Sequence, residues 1–334
     1  MRQLSCFWLV LTFFWVGCAP TPAAVPVSQP VQSASTAVVP TAQPALTTQP
    51  LPATQTAVPT PTLQPTLDAP PPTSVIAQIT PEPTATFAAY GVAQTIGTSA
   101  GGRPIDSYRF GFGRDVVVMV GGIHGGYEWN TILLAYEMID YFLANPDQIP
   151  SNVSLYIIPS ANPDGQFFVT GVDGRFTPQD VAADTQPGRF NANQVDLNRN
   201  WACGWQQEAL WGNTLVSGGT VPFSEPETAA LRAFFLREAP KTVVFWHSKA
   251  DGLYVGSCDE TFLPSREIAE IYGRAAGYEV FGAFTAYPVS GDASDWLATQ
   301  NIPSFTVELA THTQTDFPQN LDGVLALLGF YGRN

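Results

Sequence analysis

The chain has 334 residues and a formal net charge of −14, with 28 Asp and Glu against 14 Lys and Arg. Without a basic patch to neutralise phosphates, nucleic acid is not an expected partner, and an acidic surface does not cling to anionic lipid. The length admits one large domain or two.

Residues 1–18 read as an export signal: Arg2 forms the charged end and Phe7 to Val16 a short apolar core. That core is too short for a transmembrane helix, which needs about 20 apolar residues. Trp15-Val16-Gly17-Cys18 resembles a bacterial lipobox, whose Cys becomes the lipidated first residue, although Trp15 stands where Leu, Val or Ile is usual. The expected location is extracellular with a lipid anchor at Cys18, the alternatives being plain secretion or an uncleaved anchor. Membrane association rests on this N-terminus alone. Residues 19–88 are rich in Pro and Thr and lack Lys and Arg, so they are expected to stay extended as a tether. Residues 89–334 hold nearly all the charge and aromatics and suffice for one core.

Within that part, Tyr90 to Phe112 alternates about a turn at Gly101-Gly102-Arg103-Pro104. Val116 to Val120 is a β-branched run expected of a central strand covered on both faces. A helix is expected over Ile132 to Leu143, capped by Asn130 and ended by Asn145-Pro146. Val153 to Ile158 reads as a second buried strand, followed by the turn-rich Asn162-Pro163-Asp164-Gly165. Ser224-Glu225-Pro226-Glu227 reads as a capping box opening a helix. Strands at Val243 to Trp246 and Phe305 to Leu309, and helices at Arg266 to Ala276 and Leu321 to Tyr331, complete the alternation. The expected fold is α/β: a mixed, mostly parallel twisted sheet with helices on both faces.

Three histidines occur, at 124, 247 and 312. His124 and Glu128 follow the first apolar strand, and His247 ends a later one, so all three fall at the carboxyl edge of the sheet, where open α/β sheets bind ligands. Two His and one Glu with a fourth position open are the donor set of a catalytic zinc site. Asp196 lies near Arg199, and a zinc-bound His usually donates its free N–H to a carboxylate. Glu308 sits inside an apolar strand, costly for a carboxylate without a partner or a task. Cys203 and Cys258 are expected to pair outside the cell, with two buried thiols as the alternative.

Taken together, these stretches resemble the zinc carboxypeptidases of the pancreatic carboxypeptidase A type and their bacterial branch, over most of 89–334. The matching segments are Gly121-Gly122-Ile123-His124 with Glu128-Trp129, Asn162-Pro163-Asp164-Gly165, Val195-Asp196-Leu197-Asn198-Arg199-Asn200-Trp201, Pro222-Phe223-Ser224-Glu225-Pro226-Glu227, His247-Ser248, Tyr287 with Ser290-Gly291 and Asp295-Trp296, and Phe305-Thr306-Val307-Glu308-Leu309. The resemblance implies that His124, Glu128 and His247 bind Zn²⁺ and that Asp196 orients His124. Asn198 and Arg199 would hold the substrate's terminal carboxylate, with Tyr287 closing over it. Arg189 would polarise the scissile carbonyl, with Arg175 as the competing candidate, and Glu308 would act as general base.

Two departures stand out. Three residues separate His124 from Glu128 where the family has two, and the domain is shorter than the pancreatic enzymes, so groove loops are expected to be trimmed. No globular pro-domain is expected before the catalytic part. In the same register Ser294, Asp292, Tyr254 and Val289 would line the pocket for the terminal side chain, with Asp292 able to admit a basic residue. Lys249 would meet an anionic group or point to solvent. The expected function is an extracellular metallocarboxypeptidase acting on peptides. The alternative is a murein-peptide hydrolase of the same fold acting on muropeptides, and a third reading is a cell-surface binding protein without catalysis.

Overall fold

The β-branched run that marks a central strand does occupy the middle of the sheet. The computed structural model describes residues 90–333; the leader, Cys18 and the tract at 19–88 lie outside the described residues. In chain order the elements are β1 (Ala93–Thr98), β2 (Pro104–Phe110), β3 (Asp115–Val120), α1 (Trp129–Ala144), β4 (Val153–Ile158), α2 (Pro163–Thr170), β5 (Glu208–Trp211), β6 (Thr214–Ser217), α3 (Pro226–Glu238), β7 (Thr242–Ser248), β8 (Gly252–Val255), α4 (Leu263–Ala276), β9 (Val280–Phe281), α5 (Ala293–Thr299), β10 (Ser304–Leu309) and α6 (Phe317–Gly332). Eight strands form one sheet in the order β1-β2-β4-β3-β7-β10-β8-β9. Pairing is parallel at β4-β3, β3-β7, β7-β10 and β8-β9, and antiparallel at β1-β2, β2-β4 and β10-β8. The expected mixed, mostly parallel sheet is present.

Alternation along β3 builds two cores. Val117 and Met119 pack into one with α1, α4 and α6, while Val116, Val118 and Val120 pack into the other with α3 and α5. A strand sealed on both faces needs apolar residues at every position, which is why this one shows no polar alternation.

The chain leaves β3 through α1 to reach β4 on one side, then later crosses to β7 on the other. The connections after β3 and β7 therefore diverge and open a crevice at their carboxyl ends. Register fixes what borders it: Glu308 of β10 lies directly beside His247 of β7.

Two expected caps are not made. Asn130 lies inside α1, and its amide reaches across to Thr311 O at 2.7 Å and Gln314 O at 2.8 Å. The N-cap of α3 is Glu225, without a side-chain cap, and Ser224 instead donates to Glu225 at 2.8 Å. Glu227 accepts from Ala100 N at 2.9 Å and Asn191 at 3.2 Å, so a long-range network replaces the capping box. Asn162 does cap α2, accepting from Gly165 N at 2.9 Å. No helix among the described residues is long and apolar enough to cross a membrane.

Candidate active site

The stretch after β3 must place two side chains at one point with a residue to spare. Gly125 to Glu128 coil into a 3₁₀ turn, and Gly125 takes a φ of +47°. A Cβ there would lie 2.5 Å from Gly188 O and 2.8 Å from Gly165 Cα, so only glycine allows this approach. The turn absorbs the extra residue. Glu128 Oε1 lies 2.8 Å from His124 Nδ1, and Oε2 lies 3.1 Å from His247 Nδ1.

His124, Glu128 and His247 are all buried, and one ligand atom from each falls within 4.8 Å of the others. The two Nδ1 atoms face each other at 3.2 Å. Glu128 Oε2 makes no hydrogen bond despite its short distance to His247. Three electron-pair donors, one left unsatisfied in a dry site, fit a cation better than they fit one another. Burial by itself would push the Glu128 carboxyl up, but His124 and His247 outweigh it and hold the group well below the usual range. Burial disfavours charge on His247, yet Glu128 beside it raises the imidazole above its ordinary value.

Behind this cluster stands Asp196. Its Oδ1 lies 3.5 Å from the outward Nε2 of His124 and accepts from Asn198 N at 3.0 Å. Its Oδ2 accepts from Arg189 Nε at 2.8 Å and forms an ion pair with Arg189 Nη2 at 2.8 Å. Burial opposes ionisation, but Arg189, His124 and Arg199 keep the carboxyl far below the usual range. Arg189 Nη1 comes within 3.9 Å of Glu128 Oε1, and the guanidinium carbon lies 4.6 Å over the Trp211 ring. Arg175, the competing candidate, is elsewhere: it is exposed and forks onto Asp140 at 2.7 and 2.9 Å.

In front of the cluster a pocket of about 320 Å³ is bordered by His124, Asn198, Arg199, His247, Tyr287 and Glu308, among others. Arg199 is anchored by Nε to Leu210 O of β5 and by Nη1 to Asn198 O, at 3.0 and 2.7 Å. Glu308 Oε2 is buried without a partner. Burial pushes its carboxyl up to about 7, although His247 and Arg189 pull the other way.

All nine sequence-selected side chains thus gather at one sheet edge. Ser294, Asp292, Tyr254 and Val289 also line the pocket. Lys249 is exposed and is not part of the pocket wall. Cys203 and Cys258 form a disulfide with Cα atoms 5.9 Å apart, beside the backbone bond from Gly291 N to Cys203 O at 2.9 Å. Sequence reasoning missed Asp259, Asp295 and Phe284 in the wall, and the β5-β6 hairpin that carries Trp211 against Tyr127 at 5.1 Å. Asp295 lay within a matched segment and was legible there; an exposed Asp beside a cysteine and a four-residue strand carried no signal.

The pattern that matches zinc carboxypeptidases spans residues 92–322, and the chain belongs to that family. A zinc carboxypeptidase A 1 of Anopheles gambiae is 29% identical over 209 residues, covering 56% of this chain and 46% of the relative. Carboxypeptidase B of Astacus astacus is 28% identical over 161 residues, covering 46% of this chain and 52% of its own length. The chain therefore spans about half the length of these curated relatives. In fold it is similar to bovine thrombin-activatable fibrinolysis inhibitor, solved with a tick carboxypeptidase inhibitor, at a TM-score of 0.59 and 20% identity over 73% of this chain and 90% of that one. Carboxypeptidase A of Helicoverpa armigera gives 0.58 and 21%, over 72% and 68%. Zinc is the metal of the family, and two imidazoles with one carboxylate are donors it accepts.

Proposed function

We propose that the protein is a zinc-dependent carboxypeptidase that removes C-terminal residues from peptides. The observation that carries this reading is the adjacency of a buried three-donor metal cluster to Glu308, a carboxylate with a free buried oxygen, on neighbouring strands. His124, Glu128 and His247 would hold zinc, which would supply Lewis-acid chemistry and lower the pKa of a water to about 7. Glu308, held near the same value, takes the proton from the attacking water and returns it to the leaving amine. Arg189 donates to the carbonyl oxygen as it gains charge, and Asp196 holds both Arg189 and His124 in place. Asn198 and Arg199 meet the terminal carboxylate, and Tyr287 covers the end residue. A purely binding protein has no use for Glu308.

The export signal and the disulfide support a place outside the cell, with Cys18 as lipid anchor, since such bonds persist in oxidising compartments. Mass spectrometry of the mature N-terminus tests the anchor.

The full chain should be assayed on hippuryl amino acids, longer peptides and muropeptides, each with and without chelator. Chelator-sensitive release of C-terminal residues from peptides is expected. Release from muropeptides alone would transfer the reading to the murein hydrolase. His247→Ala is expected to lose stoichiometric zinc.

A further inference from the structure

The β5-β6 hairpin stands apart from the eight-stranded sheet as a two-stranded ribbon of its own. Its register pairs Glu208 with Ser217 and Trp211 with Thr214, so Trp211 is the last strand residue before the turn at Gly212-Asn213. An isolated hairpin is marginal at best in water, so this one depends on what it packs against. Three of its contacts fall on the active site. Ser217 O accepts from Asp196 N at 2.9 Å, and Leu210 O accepts from Arg199 Nε at 3.0 Å. The Trp211 ring lies against Arg189, whose guanidinium carbon is 4.6 Å from the ring centroid.

Trp211 is not a core residue. It is half-buried and joins neither of the two apolar clusters. Its ring neighbours are Tyr127 at 5.1 Å, with the planes at 78°, and Phe190 at 6.4 Å. Tyr127 also faces the guanidinium, at 5.7 Å. A cation over an aromatic face is attracted by the ring quadrupole, most strongly by indole.

Arg189 needs such a wall. Its Nε donates to Asp196 Oδ2 and its Nη2 pairs with the same oxygen, each at 2.8 Å. The remaining nitrogen, Nη1, lies 3.9 Å from Glu128 Oε1, on the side of the metal cluster. A planar group gripped along one edge by a single oxygen can still rock about that contact, and each tilt swings Nη1 off the carbonyl oxygen. The indole face blocks the tilt and keeps water from that side. A displacement of about 1 Å at a reacting group can cost about 10²-fold in rate. Arg189 donates to an oxygen whose charge grows only as the reaction proceeds, so lost aim shows in kcat rather than in KM. Leu210 O serves Arg199 through the backbone, and a side-chain change at 211 leaves that contact in place.

We propose that Trp211 is a positioning residue for the reaction: delivered by the β5-β6 hairpin, its ring face holds the Arg189 guanidinium with Nη1 aimed at the scissile carbonyl oxygen. The inference rests on the carboxypeptidase reading.

The test uses the zinc-loaded full chain on the hippuryl amino acid it hydrolyses fastest, with kcat and KM measured separately for Trp211→Leu and Trp211→Phe. Trp211→Leu is expected to lower kcat about tenfold, which corresponds to about 1.4 kcal/mol, with KM changed less than about twofold. Trp211→Phe restores a ring face and is expected to keep about a third of the wild-type kcat or more. A second readout needs no metal: in urea unfolding of the metal-free chain, the effects of Trp211→Leu and Arg189→Met should be non-additive, because the two groups touch. Should Trp211→Leu fold poorly, a fluorinated tryptophan placed at 211 alone keeps the shape, weakens the negative ring face and should still lower kcat. Wild-type kcat in Trp211→Leu or in the fluorinated chain, equal losses in the Phe and Leu variants, or additive unfolding effects would each reduce Trp211 to packing and leave the carboxypeptidase reading standing. No peptide hydrolysis by the wild type overturns that reading and the inference with it.

Discussion

Replacing Asp196 by Ala tests the arrangement behind the metal cluster most directly. The wild-type carboxylate accepts a hydrogen bond from Arg189 Nε at 2.8 Å, pairs with Arg189 Nη2 at 2.8 Å, accepts from Asn198 N at 3.0 Å and faces His124 Nε2 at 3.5 Å. Both Asp196 and Arg189 are buried, at 0% and 2% exposure. Truncating one partner of a buried pair costs about 3–5 kcal/mol, because the other charge is left without compensation. For a unit of about 250 residues each kcal/mol lowers Tm by roughly 2 °C, so a fall of about 6–10 °C is expected for the metal-free protein. Loss of the carboxylate behind a liganding imidazole should weaken zinc binding about 10- to 100-fold. Thermal melts and competition titrations against a chromophoric chelator measure the two effects separately. A double variant, Asp196→Ala with Arg189→Met, removes both charges and should regain part of the stability but none of the metal affinity. Wild-type melting and wild-type zinc affinity in Asp196→Ala would refute the proposed role.

Three further outcomes are expected. Glu308→Gln should keep one zinc per chain while kcat/KM falls about 10²- to 10⁴-fold, since the shape is preserved and the base is lost; metal analysis beside steady-state kinetics decides it, and full activity would remove Glu308 from the mechanism. Replacing Cys203 and Cys258 together opens a loop spanning 55 residues. Chain entropy puts the cost at about 4 kcal/mol, to be read by urea unfolding. Because Cys203 O accepts from Gly291 N, next to Asp292, KM should also rise. Burial pushes the Glu227 carboxyl from 4.5 up to about 7. The folded chain thus keeps a proton that the unfolded chain has released, and this group's contribution to stability falls as pH rises from about 4.5 to about 7. Relative to Glu227→Gln, the wild type should lose up to about 3 kcal/mol across that window; a flat difference between the two unfolding curves would show that Glu227 does not titrate there.

Much of the molecule is legible from residues alone, because the signals are local. Val116 to Val120 and Phe305 to Leu309 are too apolar and β-branched to be anything but buried strands once turn residues bound them. His124, Glu128, His247, Asp196 and Glu308 stand out because their chemistry is costly or purposeful at strand ends. The pairing of Cys203 with Cys258 follows from their being the two cysteines among residues 89–334. What stayed hidden depends on chain segments far apart meeting. The placement of Asn130 and Glu227 in long-range networks, rather than at helix caps, required loops more than 100 residues away. The choice of Arg189 over Arg175 turns on which arginine faces Asp196, and sequence spacing does not carry that. Whether Glu128 reaches the metal cluster despite the extra residue was decided by a glycine turn packed against Gly165 and Gly188. The acidic and aromatic pocket joins residues 254–259, 284–289 and 292–295 around a crevice that exists only because the connections after β3 and β7 diverge. Residue chemistry along the chain determined which groups could act; strand order and register determined which of them meet.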